Sequence, residues 1–550
     1  VEFKWEVLEA KMGDKVGDRI TVTAEEAKNR LSKFQDKPFR LHQEETIEFA
    51  SRSDKPFKII ELPTGGGKSL IGMTLAMMNR KTNYLCGTKI LQSQLSEDFP
   101  EGVTLWGRDN YTCLKNDEFT CNHCTATRFD PCNEECVYKR EKSRALESQV
   151  RILNYSYYLS EVQYAGKFRN SDLTIIDEAD SLESTLIGFI SLEFTDSDLF
   201  KLGMANGPRR KTTDAKDGVQ SWIEFGEVAH AKSKRKAAEL KAEVDSWDTI
   251  EEEWQLRTMK ALERMVHINE RCAMFLDNVD KSWILEQQDM VGKFQGKLIF
   301  RPLWITPELA EKYLWKHSKS WVLMSAAFLP KPVLAKILGI DEGDMDWVTV
   351  PSTFPIENRP INIWPVCDLK YSNMKEEVPK LIKGIRKVLN RHRGQKGLIH
   401  CSSYSLAKMI VEGVDDERLI THGNKDRQAV VDHFVGSHGD AVLVSPSLER
   451  GINLNDDLAR FQIVAKAPFL SLADKVVNKR VHSGRIGQMW YSSSMMLAVL
   501  QAAGRGVRHE GDYCECYILD KAVERAYELQ PSLWPEWFRD AITWGANELV

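Results

Sequence analysis

Hydrophobic and polar positions along this chain fall into short apolar runs that alternate with amphipathic stretches. Lys58-Ile59-Ile60-Glu61-Leu62 is an apolar run opened by Phe57 and closed by a glycine cluster, which predicts a buried strand; Leu70 to Met78 carries helical spacing behind it. Thr82 to Gly87 and Leu173 to Ile176 repeat the strand pattern, as do Ser320 to Met324, Gly397 to His400, Ala441 to Ser445, Phe461 to Ala465 and Tyr513 to Leu519. Short buried strands separated by helices predict parallel sheets covered on both faces. Near the N-terminus, Thr23-Ala24-Glu25-Glu26 has the form of a capping box ahead of a helix expected to reach Phe34.

From about 190 to 295 the pattern changes to long charged helices, with Leu262, Met265, Ile268, Cys272 and Phe275 forming a stripe at helical spacing. Such a stripe predicts a helix packed into a small helical unit. The expected fold is α/β with two parallel-sheet lobes, the first interrupted twice. The boundaries read as a lead-in at 1–36, first-lobe segments at 37–104, 141–190 and 296–350, a cysteine-rich insertion at 105–140, a helical insertion at 191–295, and a second lobe at 351–550.

A chain of 550 residues with 42% hydrophobic content can bury at least two large cores. Its formal charge of -5 excludes a uniformly basic coat, so any nucleic-acid contact has to come from local patches in grooves. No run approaches the ~20 apolar residues of a membrane span, and Val1 to Lys15 lacks a secretory apolar region. These features predict a soluble intracellular protein, of cytoplasm or nucleus, with no membrane partner. Five of the eleven cysteines (Cys113, Cys121, Cys124, Cys132 and Cys136) are crowded together, which suits a thiolate metal site in a reducing compartment better than a disulfide framework.

Three motifs carry chemistry. Pro63-Thr64-Gly65-Gly66-Gly67-Lys68-Ser69 follows a strand and opens a helix. Its glycines can turn backbone N–H groups toward the phosphates of ATP, Lys68 can reach the β and γ oxygens, and Ser69 can hold Mg²⁺. Leu62 stands where the strict loop has its first glycine. Asp177-Glu178-Ala179-Asp180 ends a strand about a hundred residues later. Asp177 is the expected Mg²⁺ carboxylate and Glu178 the group that orients and deprotonates the attacking water. Gln501-Ala502-Ala503-Gly504-Arg505-Gly506-Val507-Arg508 lies in the second lobe, whose arginines reach the γ-phosphate only when the lobes close.

In this order the three motifs resemble those of superfamily 2 helicases, and further segments fit the same pattern. Gln43 in Phe39-Arg40-Leu41-His42-Gln43 stands where that family has its adenine-sensing glutamine. Thr88-Lys89-Ile90-Leu91-Gln92 resembles a strand-contacting motif, Met324-Ser325-Ala326-Ala327 the motif that links hydrolysis to unwinding, and His400-Cys401-Ser402-Ser403-Tyr404 the first motif of the second lobe. Ser447 to Leu454 resembles a motif usually written E-G-x-D-L, with Arg450 and Asn453 in place of its acidic residues; Ala327 likewise replaces a threonine. These departures bear on the coupling of turnover to unwinding more than on ATP binding.

Gly107-Arg108-Asp109-Asn110-Tyr111-Thr112-Cys113 and Cys136-Val137-Tyr138-Lys139-Arg140 resemble the entry and exit of the iron-sulfur domain of XPD-like and DinG-like helicases, and Asn154-Tyr155 matches the motif that follows. The resemblance implies two RecA-like motor domains, an iron-sulfur insertion, a helical arch over 191–295, and a [4Fe-4S] cluster on four of the five cysteines. Which four remains open between Cys121, Cys124 and Cys132. Zinc is the alternative from spacing alone, through Cys121-x2-Cys124, Cys132-x3-Cys136 and nearby His123.

The resemblance further implies an ATP-dependent, monomeric motor moving 5′ to 3′ on single-stranded or forked DNA. Arg108, Tyr111, Lys139, Arg140 and Lys142 are candidate strand contacts, as are Lys232, Lys234, Arg235 and Lys236 in the helical insertion and Lys479, Arg480, His482 and Arg485 in the second lobe. Trp490-Tyr491 could stack on a base. The competing expectation is an ATP-switched clamp or remodeller that holds a strand without processive separation.

Overall fold

The computed structural model describes residues 22–114, 120–121, 135–204, 218–247, 253–288, 296–423, 425–437, 439–446, 454 and 456–545. Its strands are β1 (Phe57–Glu61), β2 (Thr82–Cys86), β3 (Val103–Thr104), β4 (Val150–Asn154), β5 (Leu173–Asp177), β6 (Leu192–Thr195), β7 (Trp283–Gln288), β8 (Lys297–Pro302), β9 (Trp321–Ser325), β10 (Met345–Thr349), β11 (Ile361–Cys367), β12 (Gly397–His400), β13 (Leu419–Thr421), β14 (Val442–Ser445), β15 (Phe461–Val464), β16 (Glu515–Asp520) and β17 (Ile542–Trp544). Two seven-stranded parallel sheets form the lobes, in the orders β10-β1-β9-β5-β2-β4-β3 and β13-β14-β12-β15-β16-β11-β17. The α/β class with two RecA-like lobes is therefore as the sequence predicts.

The sheet order decides where chemistry can happen. β1, β9 and β5 are consecutive neighbours, and all three run parallel. The glycine loop after β1, the Ser325 segment after β9 and the acidic motif after β5 thus emerge side by side at one carboxyl edge, where ligands bind in open α/β sheets. β1 and β5 read as unbroken apolar runs because both faces of the sheet are covered: every residue of each is buried.

The helical insertion pairs two long helices, Gly218–Asp245 and Glu253–Leu276. The stripe read from sequence is their seam: Met265, Ile268, Cys272 and Phe275 are buried and Leu262 packs against the same core. Periodicity did not reveal the antiparallel sheet β6-β8-β7 at its base, whose Phe300 sits between Trp222, Phe225 and Phe275. β6 lies about a hundred residues from its partner β8, so the pairing is invisible to a local window. The Thr23–Glu26 capping box forms, but its helix ends at Lys28, and turns lead on to Phe34.

Candidate functional site: a nucleotide site between two lobes

Gly65 and Gly67 both hold positive φ, 84° and 83°, which turns the loop amides inward before the helix Lys68–Met77 begins. Any side chain at Gly65 would run into the Phe354 ring and come within 2.9 Å of the Arg508 carbonyl. The second lobe's arginine motif therefore lies directly against the phosphate loop. Gln43 is engaged by that loop too: its Nε2 donates to the Gly66 carbonyl at 3.0 Å and its Oε1 accepts from Arg40 N at 2.9 Å. Arg40 donates to the Gly65 carbonyl at 3.1 Å. The amide that the sequence assigns to adenine here braces the loop, beside a small cleft lined by Arg40, His42, Gln43, Leu62, Pro351 and Thr353.

Lys68 Nζ lies 3.7 Å from Glu178 Oε1, which joins the first two motifs. Asp177 is buried; Tyr84 donates to its Oδ2 at 3.0 Å, Glu178 N donates to its Oδ1 at 3.0 Å, and the Tyr155 hydroxyl donates to its backbone carbonyl. Burial pushes the Asp177 carboxyl upward, the Glu178 charge adds to this, and Lys68 offsets part of it. Glu178 itself adopts positive φ, 56°, a conformation that costs a non-glycine residue energy. Ser69 and Asp177 offer the hard oxygen donors that suit Mg²⁺.

Asp180 collects the other two motifs. Its Oδ1 accepts from the Ser325 hydroxyl at 3.1 Å, and its Oδ2 accepts from Gln501 Nε2 at 2.6 Å across the lobe boundary. Gln501 therefore acts through Asp180 in this state. The two arginines separate as well. The charge of Arg508 faces Glu178, whereas Arg505 faces buried His400, whose ring burial and Arg505 together push down to about 3. Pro63, Thr64 and Ser69 complete the loop, with Thr64 beside Gly504 of the opposite lobe. Sequence reasoning gave Tyr84 and Arg40 no role and took Tyr155 only as part of the motif that follows the cysteine segment, not as a partner of Asp177.

Among the cysteines, Cys121 and Cys136 are buried with their sulfurs 3.9 Å apart, and a Thr112–Thr120 bridge brings Cys113 to the same turn. Cys124, Cys132 and His123 lie outside the described residues, as do Arg450 and Asn453. Thiolates suit iron-sulfur clusters and zinc alike. Around the cysteines, three of the five candidate strand contacts are engaged by other side chains of this chain, Arg108 while exposed and Tyr111 and Lys142 while half-buried. Arg108 lies over the Tyr138 ring, Tyr111 meets that ring edge-on, and Lys142 pairs with Glu161 at 2.6 Å. Lys139 and Arg140 are exposed. On the arch, Arg235 and Lys236 both pair with Glu239, the solvated face of an ordinary helix.

Arg480 is a correction. The sequence offers it as a strand contact, but it is buried between Trp304 and Trp490, 4.3 and 4.8 Å from their ring centres. Its guanidinium donates to Glu183 at 2.6 Å and to the Leu303 carbonyl at 2.8 Å, both in the first-lobe region. Trp490 is core for the same reason, while Tyr491 stacks on exposed Phe469 at 5.2 Å. Lys479, His482 and Arg485 remain on the surface.

Two parallel-sheet lobes thus bring the glycine loop, the acidic motif and the arginine motif together at their boundary. Residues 385–540 match the helicase C-terminal domain family. ATP-dependent DNA helicase chl1 of Schizosaccharomyces pombe is 30% identical over 107 residues, covering 17% of this chain and 12% of that protein. ATP-dependent DNA helicase DDX11 of Danio rerio is 28% identical over 109 residues, covering 18% and 12%. An XPD helicase structure superposes over 92% of this chain and 100% of its own, with TM-score 0.58 at 15% identity, and Xpd4 of S. tokodaii does so with TM-score 0.56 at 14% identity over 92% and 100%. Residues 385–540 thus carry a helicase C-terminal domain, the chain spans about an eighth of the length of the curated relatives it matches, and its fold is that of the XPD structures. Among the described residues no helix is long and apolar enough to cross a membrane.

The 2.6 Å contact across the lobes is open to a direct test. Gln501→Ala removes a hydrogen bond to a carboxylate without touching the phosphate loop, so kcat for ATP is expected to fall about tenfold while the affinity for ATP holds. Stopped-flow binding and steady-state turnover on the same preparation separate the two effects.

Proposed function

We propose that the chain is an ATP-driven DNA helicase that moves along single-stranded DNA, 5′ to 3′, and opens forked duplexes as a soluble, monomeric intracellular motor. The observation that carries this reading is Asp180, held at once by Ser325 of the first lobe and Gln501 of the second. Closing the lobes completes the site, and a change at the phosphates alters the contact between lobes. Gly65, Gly66 and Gly67 bind the phosphates with their amides, Lys68 and Arg508 stabilise charge on the transferring group, and Glu178 takes the proton of the attacking water. Arg505, whose charge acts on buried His400, adds to the same stabilisation. Ser69 and Asp177 would hold Mg²⁺, which would supply charge neutralisation at the phosphates.

Polarity and DNA preference rest on the family resemblance. A forked-duplex unwinding assay run beside an ATPase assay tests the whole: DNA-stimulated hydrolysis with no strand separation would refute unwinding. That result is what the clamp or remodeller reading expects, and Ala327 supports it. Ala327 is buried in the apolar cluster of the second lobe with Ile361 and Met495, so the hydroxyl usual at this position has no polar partner to meet there.

The cysteine segment is proposed to hold a [4Fe-4S] cluster whose role is to fasten a loop-rich domain that lacks a large core of its own. A second reading has one observation behind it: two thiolates at ~2.3 Å from a tetrahedral zinc lie ~3.8 Å apart, close to the Cys121–Cys136 separation of 3.9 Å. Cys113→Ser is expected to abolish the broad absorbance near ~400 nm of anaerobically purified protein and to lower its iron and sulfide content. Colourless parent protein that contains zinc would defeat the cluster.

A further inference from the structure

Asp512 is completely buried, four residues beyond Arg508, in a loop that joins the helix Arg485–Ala503 to β16. A carboxylate in that position needs its lone pairs satisfied. Here the partners are backbone amides from two loops. Asp512 Oδ2 accepts from Arg508 N at 3.1 Å, and Oδ1 accepts from Asp456 N at 3.1 Å and from Tyr513 N at 2.9 Å. Arg460 supplies the counter-charge at 3.2 Å and also donates to the Tyr513 carbonyl at 3.3 Å.

The arrangement has a direction. The anchored amide belongs to Arg508, whose carbonyl lies against Gly65 and whose side chain points its charge at Glu178. Arg508 Nε is buried and has no hydrogen-bond partner among the described residues, while the Arg508 backbone is anchored by Asp512. Asp456, the other anchored amide, has positive φ (56°) and follows directly on the segment after β14. One carboxylate thereby ties together two second-lobe segments, at Arg508 and at Asp456.

We propose that Asp512 is a positioning residue for the reaction, which fixes the backbone of Arg508 so that its guanidinium meets the transferring phosphoryl group when the lobes close. This rests on the reading of the interlobe site as an ATP hydrolysis site. A misplaced arginine loses transition-state stabilisation without loosening the grip of the phosphate loop on ATP, so the effect falls on kcat and spares KM.

The test measures ATP turnover, KM and Tm for Asp512→Asn, alone and combined with Arg508→Ala, in the full chain. Asp512→Asn is expected to lower kcat about tenfold with KM for ATP within about twofold of the parent. In the Arg508→Ala background the same change is expected to cost nothing further, because the group it positions is gone. An equal proportional loss in both backgrounds, or a raised KM with kcat retained, overturns the proposal, since either is what a general packing role produces. Should Asp512→Asn fail to fold, Arg460→Gln loosens the same carboxylate and carries the same expectations and the same refutations. Parent turnover that survives Lys68→Ala would instead remove the ATP site itself, an outcome separate from any result at Asp512.

Discussion

Lys68→Ala is expected to lower ATP turnover about a thousandfold or more and to leave the fold intact. The magnitude follows from the position. Lys68 opens a helix at the mouth of the phosphate loop, its ammonium is mostly buried, and the acidic group beside it is Glu178 at 3.7 Å. A cation held in a water-poor site at the phosphates stabilises developing charge far more than one in solvent. The stability cost is small, since alanine is a good helix former at that first position and the Lys68–Glu178 pair is loose. Turnover by phosphate release, read beside the thermal midpoint, checks both halves. Turnover close to the parent's would mean that the glycine loop after β1 does not bind the phosphates.

Legibility in the sequence tracks how local each feature is. The glycine loop, Asp177-Glu178 and the arginine motif could be read because each is a short run whose chemistry needs neighbouring residues, and a strand in front of the first two and a helix in front of the third fix their direction. Their meeting could be inferred only through the family resemblance, since no local pattern says that β9 inserts between β1 and β5. Features made by residues far apart escaped altogether. Tyr84 holds Asp177 from 93 positions away, and Asn83 braces Arg151 in the next strand from 68. Charge was the least reliable guide. Arg108, Lys142 and Arg480 looked like surface contacts for a polyanion, and each is bound by a ring or a carboxylate of this chain. Composition records that a cation exists but not whether its partner is inside.

Arg480→Ala is expected to be among the most destabilising single changes in the described surface between the lobes, at about 3 kcal/mol. Arg480 and Glu183 are only 5% and 13% exposed, so alanine strands a carboxylate in an apolar setting and leaves Trp304 and Trp490 without the plane between them. Lysine cannot rescue it fully, because one ammonium does not reproduce a planar fork that reaches both Glu183 and the Leu303 carbonyl. Adding Glu183→Gln to Arg480→Ala is expected to recover part of the loss by removing the stranded charge. The penalty also carries a sign in pH. Burial already raises the Glu183 carboxyl above its usual range, and Arg480 opposes that rise. Without the arginine the folded form holds the proton more tightly than the unfolded form, so stability is lost as pH climbs from the unfolded carboxyl's value through the raised one. Urea midpoints followed by tryptophan fluorescence should therefore show a smaller gap between variant and parent at pH 5 than at pH 8. A gap that is constant with pH would mean that Glu183 reaches solvent or another cation when Arg480 is gone.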